Sequence, residues 1–181
     1  LMANVTATAV GERMLLEFLD EYAMTDFSAL SAEIRGRSDT AMRERIKSMK
    51  PGLYRGAVDI EGIDESIKLM VAIDVRADGT LHADFEGTGD CVKRGINVPL
   101  CYARAMVLYT VKCLTVPELP NNGGMTAAIT VTAPEGCLLN AMPPAATGAR
   151  HMIGHYVTPL VFGALAEAAP NAVMADCGMM N

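Results

Sequence analysis

The sequence lacks an excess of positive charge: 15 Lys and Arg stand against 21 Asp and Glu, 15 − 21 = −6. That balance argues against a general affinity for phosphate backbones or anionic lipid, so nucleic acid is not an expected partner. Long apolar runs are also missing. The longest candidate, Ile153 to Leu165, contains His155, Pro159 and Gly163 and falls short of the roughly 18 apolar residues of a membrane span. Leu1-Met2-Ala3-Asn4 has no basic region ahead of an apolar core, so no signal peptide is visible. No CxxC pair occurs, and the cysteines number five, which suits reduced, buried packing thiols in a cytoplasmic protein. Charge is sparse at 20% while hydrophobic residues reach 51%, a composition that excludes disorder.

With 181 residues the chain fits one domain or one and a half. It carries 13 Met and no Trp, opens without an initiator Met and stops at Met179-Met180-Asn181 after an apolar run. We expect a fragment of a larger subunit, part of whose apolar surface meets segments or partners outside these residues.

Residues 1–50 read as a helical segment. Met14, Leu15, Phe18, Leu19 and Tyr22 recur at helical offsets, and Thr25 or Asp26 precedes a second helix with Leu30, Ile34, Met42, Ile46 and Met49 on its apolar face. Gly36 and Ser38-Asp39 predict a break or kink, and Pro51-Gly52 a stop. Residues 51–181 read as a mixed α+β segment of the same domain. Ile67, Leu69, Val71, Ile73 and Val75 alternate with Lys68, Met70, Ala72 and Asp74, and Asp78-Gly79 turns the chain toward Leu81, Ala83 and Phe85, predicting a three-strand antiparallel meander. A helix from Leu100 to Leu114 should show Tyr102, Met106, Tyr109 and Cys113 on one face. Asn121-Asn122-Gly123-Gly124 suits positive φ angles, a short strand spans Ala128 to Thr132, and a last helix from Ala149 to Ala168 should bend at Pro159. The fold class is α+β: an N-terminal helical hairpin, then an antiparallel sheet packed with helices.

Chemistry is concentrated in few places. His151 and His155 are four residues apart, a spacing that puts two imidazoles on one helix face for a divalent metal, but no Glu follows the first His as a zincin requires. The structural alternative is hydrogen bonding at a helix start or subunit contact. Asp84, Glu86 and Asp90 flank a Gly-Thr-Gly turn, which suits acid/base work or a solvated strand edge. Gly87-Thr88-Gly89 has no GK[ST] element and fails the dinucleotide spacing at Val92. Asn97 lies between apolar residues ahead of a helix, where it either caps loop backbone or meets a ligand carbonyl. No GxSxG elbow is present.

Taken in order, Asp84-Phe85-Glu86-Gly87-Thr88, Gly95-Ile96-Asn97-Val98-Pro99-Leu100, Pro120-Asn121-Asn122-Gly123, Val131-Thr132-Ala133-Pro134-Glu135-Gly136 with Leu139-Asn140, and Pro143-Pro144-Ala145 resemble the hydantoinase B/oxoprolinase family. Ala3-Asn4, Gly11-Glu12-Arg13 and Gly163-Ala164-Leu165-Ala166 extend the resemblance over essentially the whole chain, which would then be the middle of a longer subunit. The resemblance implies a hydantoinase A-type partner that binds ATP and phosphorylates a substrate carbonyl, while the B-type subunit handles the activated species. It implies ring opening of hydantoins or 5-oxoproline, or ATP-dependent carboxylation of ketones such as acetone. It also implies that the ligands of any divalent metal lie mostly before Leu1. A non-catalytic module that docks the ATP-binding subunit is the reading from another class. Asn97, His151 and His155 are the candidate catalytic residues, with the two histidines as candidate metal ligands; Asn97 would shape the site and Asn140 support a turn. The whole would be a cytoplasmic oligomer, and the fragment alone inactive.

Overall fold

The computed structural model describes residues 2–173. Two helices open it: α1 (Met2–Glu21) and α2 (Ser28–Ser48). They are joined at a corner where the Phe18 ring stacks on Phe27 with centroids 5.4 Å apart. As the Thr25/Asp26 pair suggests, the Asp26 carboxylate accepts a hydrogen bond from the Ser28 N–H at 2.6 Å, satisfying a donor that the helix itself leaves free. No residue of α1 is buried. The second helix buries Ser38, Met42 and Ile46, whereas Ile34, expected on the same face, is exposed. The helix does not break at Gly36 or Ser38. The Ser38 hydroxyl donates back to the Ile34 carbonyl at 2.9 Å, a bond that keeps the polar side chain inside the helical pattern.

Strands β1 (Gly52–Glu61), β2 (Ser66–Val75) and β3 (Leu81–Asp84) form the expected antiparallel meander. Alternation along β2 is nearly complete: Ile67, Leu69, Val71, Ile73 and Val75 are all buried. The turn into β3 needs Gly79, whose φ of +83° is costly for other residues and whose missing Cβ would press on the Arg43 carbonyl of α2 at 2.7 Å. Helix α3 (Leu100–Thr115), the short α4 (Gly123–Ala127) and strand β4 (Ile129–Thr132) follow. Strand β4 lies parallel to β3, so the sheet is mixed, in the order β1-β2-β3-β4. A short apolar run carries no strand direction. Direction follows from the connection, which crosses through α3 instead of a hairpin.

Helix α3 buries Ala103, Val107, Thr110 and Val111, while the expected stripe of Tyr102, Met106, Tyr109 and Cys113 stays half-exposed or exposed. The four positions from Asn121 to Gly124 take no positive φ. Asn122 instead caps α4 by accepting from the Gly124 N–H at 2.9 Å, and a Cβ on Gly124 would collide with the Arg35 carbonyl. The final helical stretch is two helices, α5 (His151–Gly154) and α6 (Val157–Leu165). The interruption falls at His155-Tyr156. Pro159 lies in the first turn of α6, where the lost N–H has no helical partner to forfeit. Helices α3 and α6 cover one face of the sheet, with Val107, Val111, Val157, Val161 and Leu165 in the core. No helix among the described residues is long and apolar enough to cross a membrane.

Candidate functional site

Both β3 and β4 point their C-terminal ends at the same side of the molecule, and the two long irregular segments, residues 85–99 and 133–150, leave from there. Neither is a floppy loop. The Leu138 N–H donates to the Gly89 carbonyl, the Cys91 N–H to Gly136, the Val98 N–H to Leu138 and the Ala141 N–H to Val98, so each segment serves as the other's backbone partner. Phe85, Ile96, Val98, Leu138 and Leu139 are buried beneath them. Thr88 fastens the first segment to β2: its hydroxyl accepts from the Met70 N–H and donates to the Met70 carbonyl, both at 3.1 Å. The Gly-Thr-Gly turn is therefore committed to the sheet and does not present a phosphate cradle.

Asn97 is the central pin. Its Oδ1 accepts from the Val92 N–H at 2.8 Å, and its Nδ2 faces the carbonyls of Val92, Arg94 and Ala146, each at 2.9 Å. With 0% of its surface exposed, the amide is spent entirely on these backbone groups. What it positions is the approach to α5, because Ala146 and the Ala149 N–H, which donates to the Gly95 carbonyl at 2.7 Å, immediately precede His151. Asn140 closes a turn by donating to the Ala133 carbonyl at 2.9 Å.

The two histidines lie in one place but do not converge. His155 Nδ1 is 2.8 Å from the His151 carbonyl. A carbonyl only accepts, so the proton belongs on Nδ1 and Nε2 is left as a lone-pair acceptor. That Nε2 is buried without a hydrogen-bond partner among the described residues, while His151 is exposed. An enclosed nitrogen on one ring and an exposed ring on the other do not make a shared metal position. Among the described residues, no group of three or more His, Cys, Asp or Glu gathers as metal ligands. His151 is the accessible histidine of the pair; a cleft of about 500 Å³ lies between the β1-β2 turn and Met152, Ile153 and Tyr156.

A second cleft of about 510 Å³ lies across that turn, lined by Asp64, Glu65, Lys68, Asp90, Cys91 and Lys93. Arg94 donates to both Asp64 carboxylate oxygens at 2.8 Å, closing the turn against the 85–99 segment. This hydrogen bonding holds the Asp64 carboxyl below its ordinary value. Among the cysteines of the described residues, only Cys137 is buried. Cys91 and Cys113 are half-buried, Cys101 is exposed, and Cys177 lies outside the described residues. Burial pushes the thiols of Cys91 and Cys137 up, away from the nucleophilic thiolate.

Among the described residues, Asp84, Glu86 and Asp90 do not gather as a three-carboxylate metal site. Asp84 accepts from Thr132 Oγ1 at 3.0 Å and from the Glu86 N–H at 3.2 Å, and His82 Nε2 is 2.9 Å from the same Thr132 oxygen. Nothing along the chain hints at the role of Thr88 or at this His82-Thr132-Asp84 chain, since each joins residues from separate strands.

The family model described as hydantoinase B/oxoprolinase matches residues 1–181. The B-type subunit of a D-/L-hydantoinase from Pseudomonas sp. (strain NS671) is 30% identical over 97% of this chain and 32% of its own length. The crystal structure of an ATP-dependent caprolactamase from Pseudomonas jessenii superposes with a TM-score of 0.83 at 26% identity, over 93% of this chain and 30% of that one. A nucleotide-free acetone carboxylase structure has the same fold, with a TM-score of 0.63 at 18% identity over 73% of this chain and 20% of that one. The chain thus spans about a third of the hydantoinase and caprolactamase chains it matches. With a family match over its whole length and a caprolactamase-like fold, it belongs to the hydantoinase B/oxoprolinase family.

Proposed function

We propose that the chain forms part of the B-type subunit of a cytoplasmic, ATP-dependent cyclic amidohydrolase that opens a hydantoin or 5-oxoproline ring. What supports this over ketone carboxylation is the closer and more complete superposition on the caprolactamase than on the acetone carboxylase. A ring amide resists water because its carbonyl carbon is a poor electrophile and its nitrogen a poor leaving group. In the proposed reaction, an A-type partner transfers the γ-phosphoryl group of ATP to the carbonyl oxygen. Water then adds to the carbon, the ring nitrogen departs with a proton, and the acyl phosphate is hydrolysed to carboxylate and phosphate.

Within this chain we assign His151 the proton transfers at the ring nitrogen, since its imidazole is the exposed one. His155 holds the His151 backbone through its Nδ1–H, and Asn97 holds the segment that leads into α5. The described residues bring no set of three or more metal ligands together. The test is nucleotide turnover by the subunit co-purified with its ATP-binding partner, challenged separately with 5-oxoproline, hydantoins, and ketones with bicarbonate. Stimulation by a cyclic amide, reduced at least about tenfold by His151→Ala, is the expected result. Stimulation by ketone plus bicarbonate alone would move the assignment to carboxylation. Full activity after substitution of His151, His155 and Asn97 in a subunit that still holds its partner would make this segment an assembly module.

A further inference from the structure

We propose that the ring of Tyr102 is the seat of α5, and that Tyr102 and Gly154 together position His151 for proton transfer; the proposal rests on the role of His151 in ring opening. Both partners of the contact lie inside the chain, so it does not depend on what covers their outer surface. A helix of four residues is a single turn, and a single turn does not hold its shape in water, because nucleation is unfavourable without tertiary support. No side chain caps α5 at Arg150. Its place is set by its neighbours. Ahead of it the Ala149 N–H donates to the Gly95 carbonyl at 2.7 Å, and behind it His155 Nδ1–H reaches back to the His151 carbonyl at 2.8 Å. The first bond anchors one end and the second is internal to residues 151–155, so neither fixes how the turn tilts against the body of the protein. That falls to α3, on which α5 packs.

The contact is close. A Cβ on Gly154 would lie 2.1 Å from Cε1 of Tyr102, 2.6 Å from Cδ1 and 3.1 Å from Cζ, so the Cδ1–Cε1 edge of the ring rests against the glycine. Gly154 is buried, and Tyr102 is half-buried and packed against the core. Gly154 does not belong to the glycines with positive φ, so its backbone conformation is open to any residue. Glycine stands there for the space. Tyr102 lies in the first turn of α3, where its N–H donates to the Pro99 carbonyl at 2.9 Å, and Asn97 lies just ahead of that start. The Asn97 pin therefore supports α5 from two sides, through Ala146 to the approach and through the start of α3 to the ring. His151 and Gly154 share one turn, so a shift of either moves both, and misplacing an acid–base group by about 1 Å can lower a rate by up to about 100-fold.

The test uses the full-length subunit with its ATP-binding partner and a cyclic amide that stimulates nucleotide turnover. Tyr102→Ala removes the seat and Gly154→Ala fills it with a methyl group; each should lower kcat at least about fivefold with KM within about twofold of the wild type. The double variant should be no worse than the poorer single, because both substitutions act on one contact. Tyr102→Phe keeps the ring and should hold kcat within about twofold of the wild type. In Tyr102→Ala, hydrogen exchange should quicken at the amides of residues 151–156 while those of α6 stay protected. Equal losses in the Phe and Ala variants, additive losses in the double variant, or unchanged exchange would overturn the proposal. His151→Ala in the same assay separates the two readings. Lost turnover there, with the Tyr102 and Gly154 variants fully active, leaves His151 its role and removes the seat. Full turnover in His151→Ala, with exchange quickened in Tyr102→Ala, removes the assignment of His151 and the catalytic meaning of the seat with it.

Discussion

Helix α1 and the paired segments 85–99 and 133–150 are opposites. The helix is fully regular and buries nothing; the segments have almost no regular structure and bury Phe85, Ile96, Asn97, Val98, Leu138 and Leu139. Regularity and burial are thus separate properties. A helix satisfies its own backbone and needs no neighbours to do so. An irregular segment can enter the core only if every carbonyl and N–H finds a partner, and here the partners are a second irregular segment and the side chains of Asn97, Thr88 and Asn140.

Substitutions on the two sides of this contrast should differ in size. The largest effect should come from Asn97→Ala, which removes the side-chain partner of the Val92 N–H and of the Val92, Arg94 and Ala146 carbonyls; we expect a loss of about 3–5 kcal/mol in urea unfolding. A loss near zero would mean that the segments hold each other without their pin. Gly124→Ala drives a methyl group into the Arg35 backbone and should cost about 2–3 kcal/mol. Thr88→Val removes the two bonds to Met70 and should cost about 1–2 kcal/mol by the same measurement. On the other side of the comparison, Leu16→Lys, at an exposed position of α1, should change stability by no more than about 0.5 kcal/mol. A larger change would show that α1 is packed in solution.

The smallest effect concerns Asp64. Its hydrogen bonds from Arg94 lower its folded-state value relative to the ordinary 3.8, so its contribution is complete above 3.8 and fades as the pH falls through the lower folded value. In Arg94→Ala the carboxyl should titrate nearer 3.8, a shift that NMR of the Asp64 side chain would read directly.

How much of this is legible in the sequence follows the same division. Patterns that depend on neighbours along the chain read well. Alternation in β2, the Asp26 turn ahead of α2, the Leu100 start of α3 and the Gly79 turn each follow from a few adjacent residues. Patterns that depend on distant partners do not. The parallel direction of β4 is set by a crossover, and the buried face of α3 is chosen by α6, which packs on it. Composition places Cys101 and Cys113 inside, yet Cys101 is exposed and Cys113 only half-buried, because α3 turns Ala103, Val107, Thr110 and Val111 inward instead. Asn97 stands out as a polar residue in an apolar run, but its bond to Ala146 spans 49 positions. His151 and His155 have the spacing of a ligand pair, yet the Nδ1 contact with a backbone carbonyl turns one ring inward and separates their roles.

The parallel pairing of β3 with β4 also has a temporal side. During synthesis, β1, β2 and β3 leave the ribosome together and can close their hairpins at once, in microseconds for such local contacts. The fourth strand emerges only after the whole of residues 85–128, and its contacts close a long loop at an entropic cost that local hairpins avoid. For that interval the open edge of the nascent sheet is β3 as well as β1. Completion of the α3 crossover is then the step that converts a three-strand sheet into the four-strand sheet β1-β2-β3-β4.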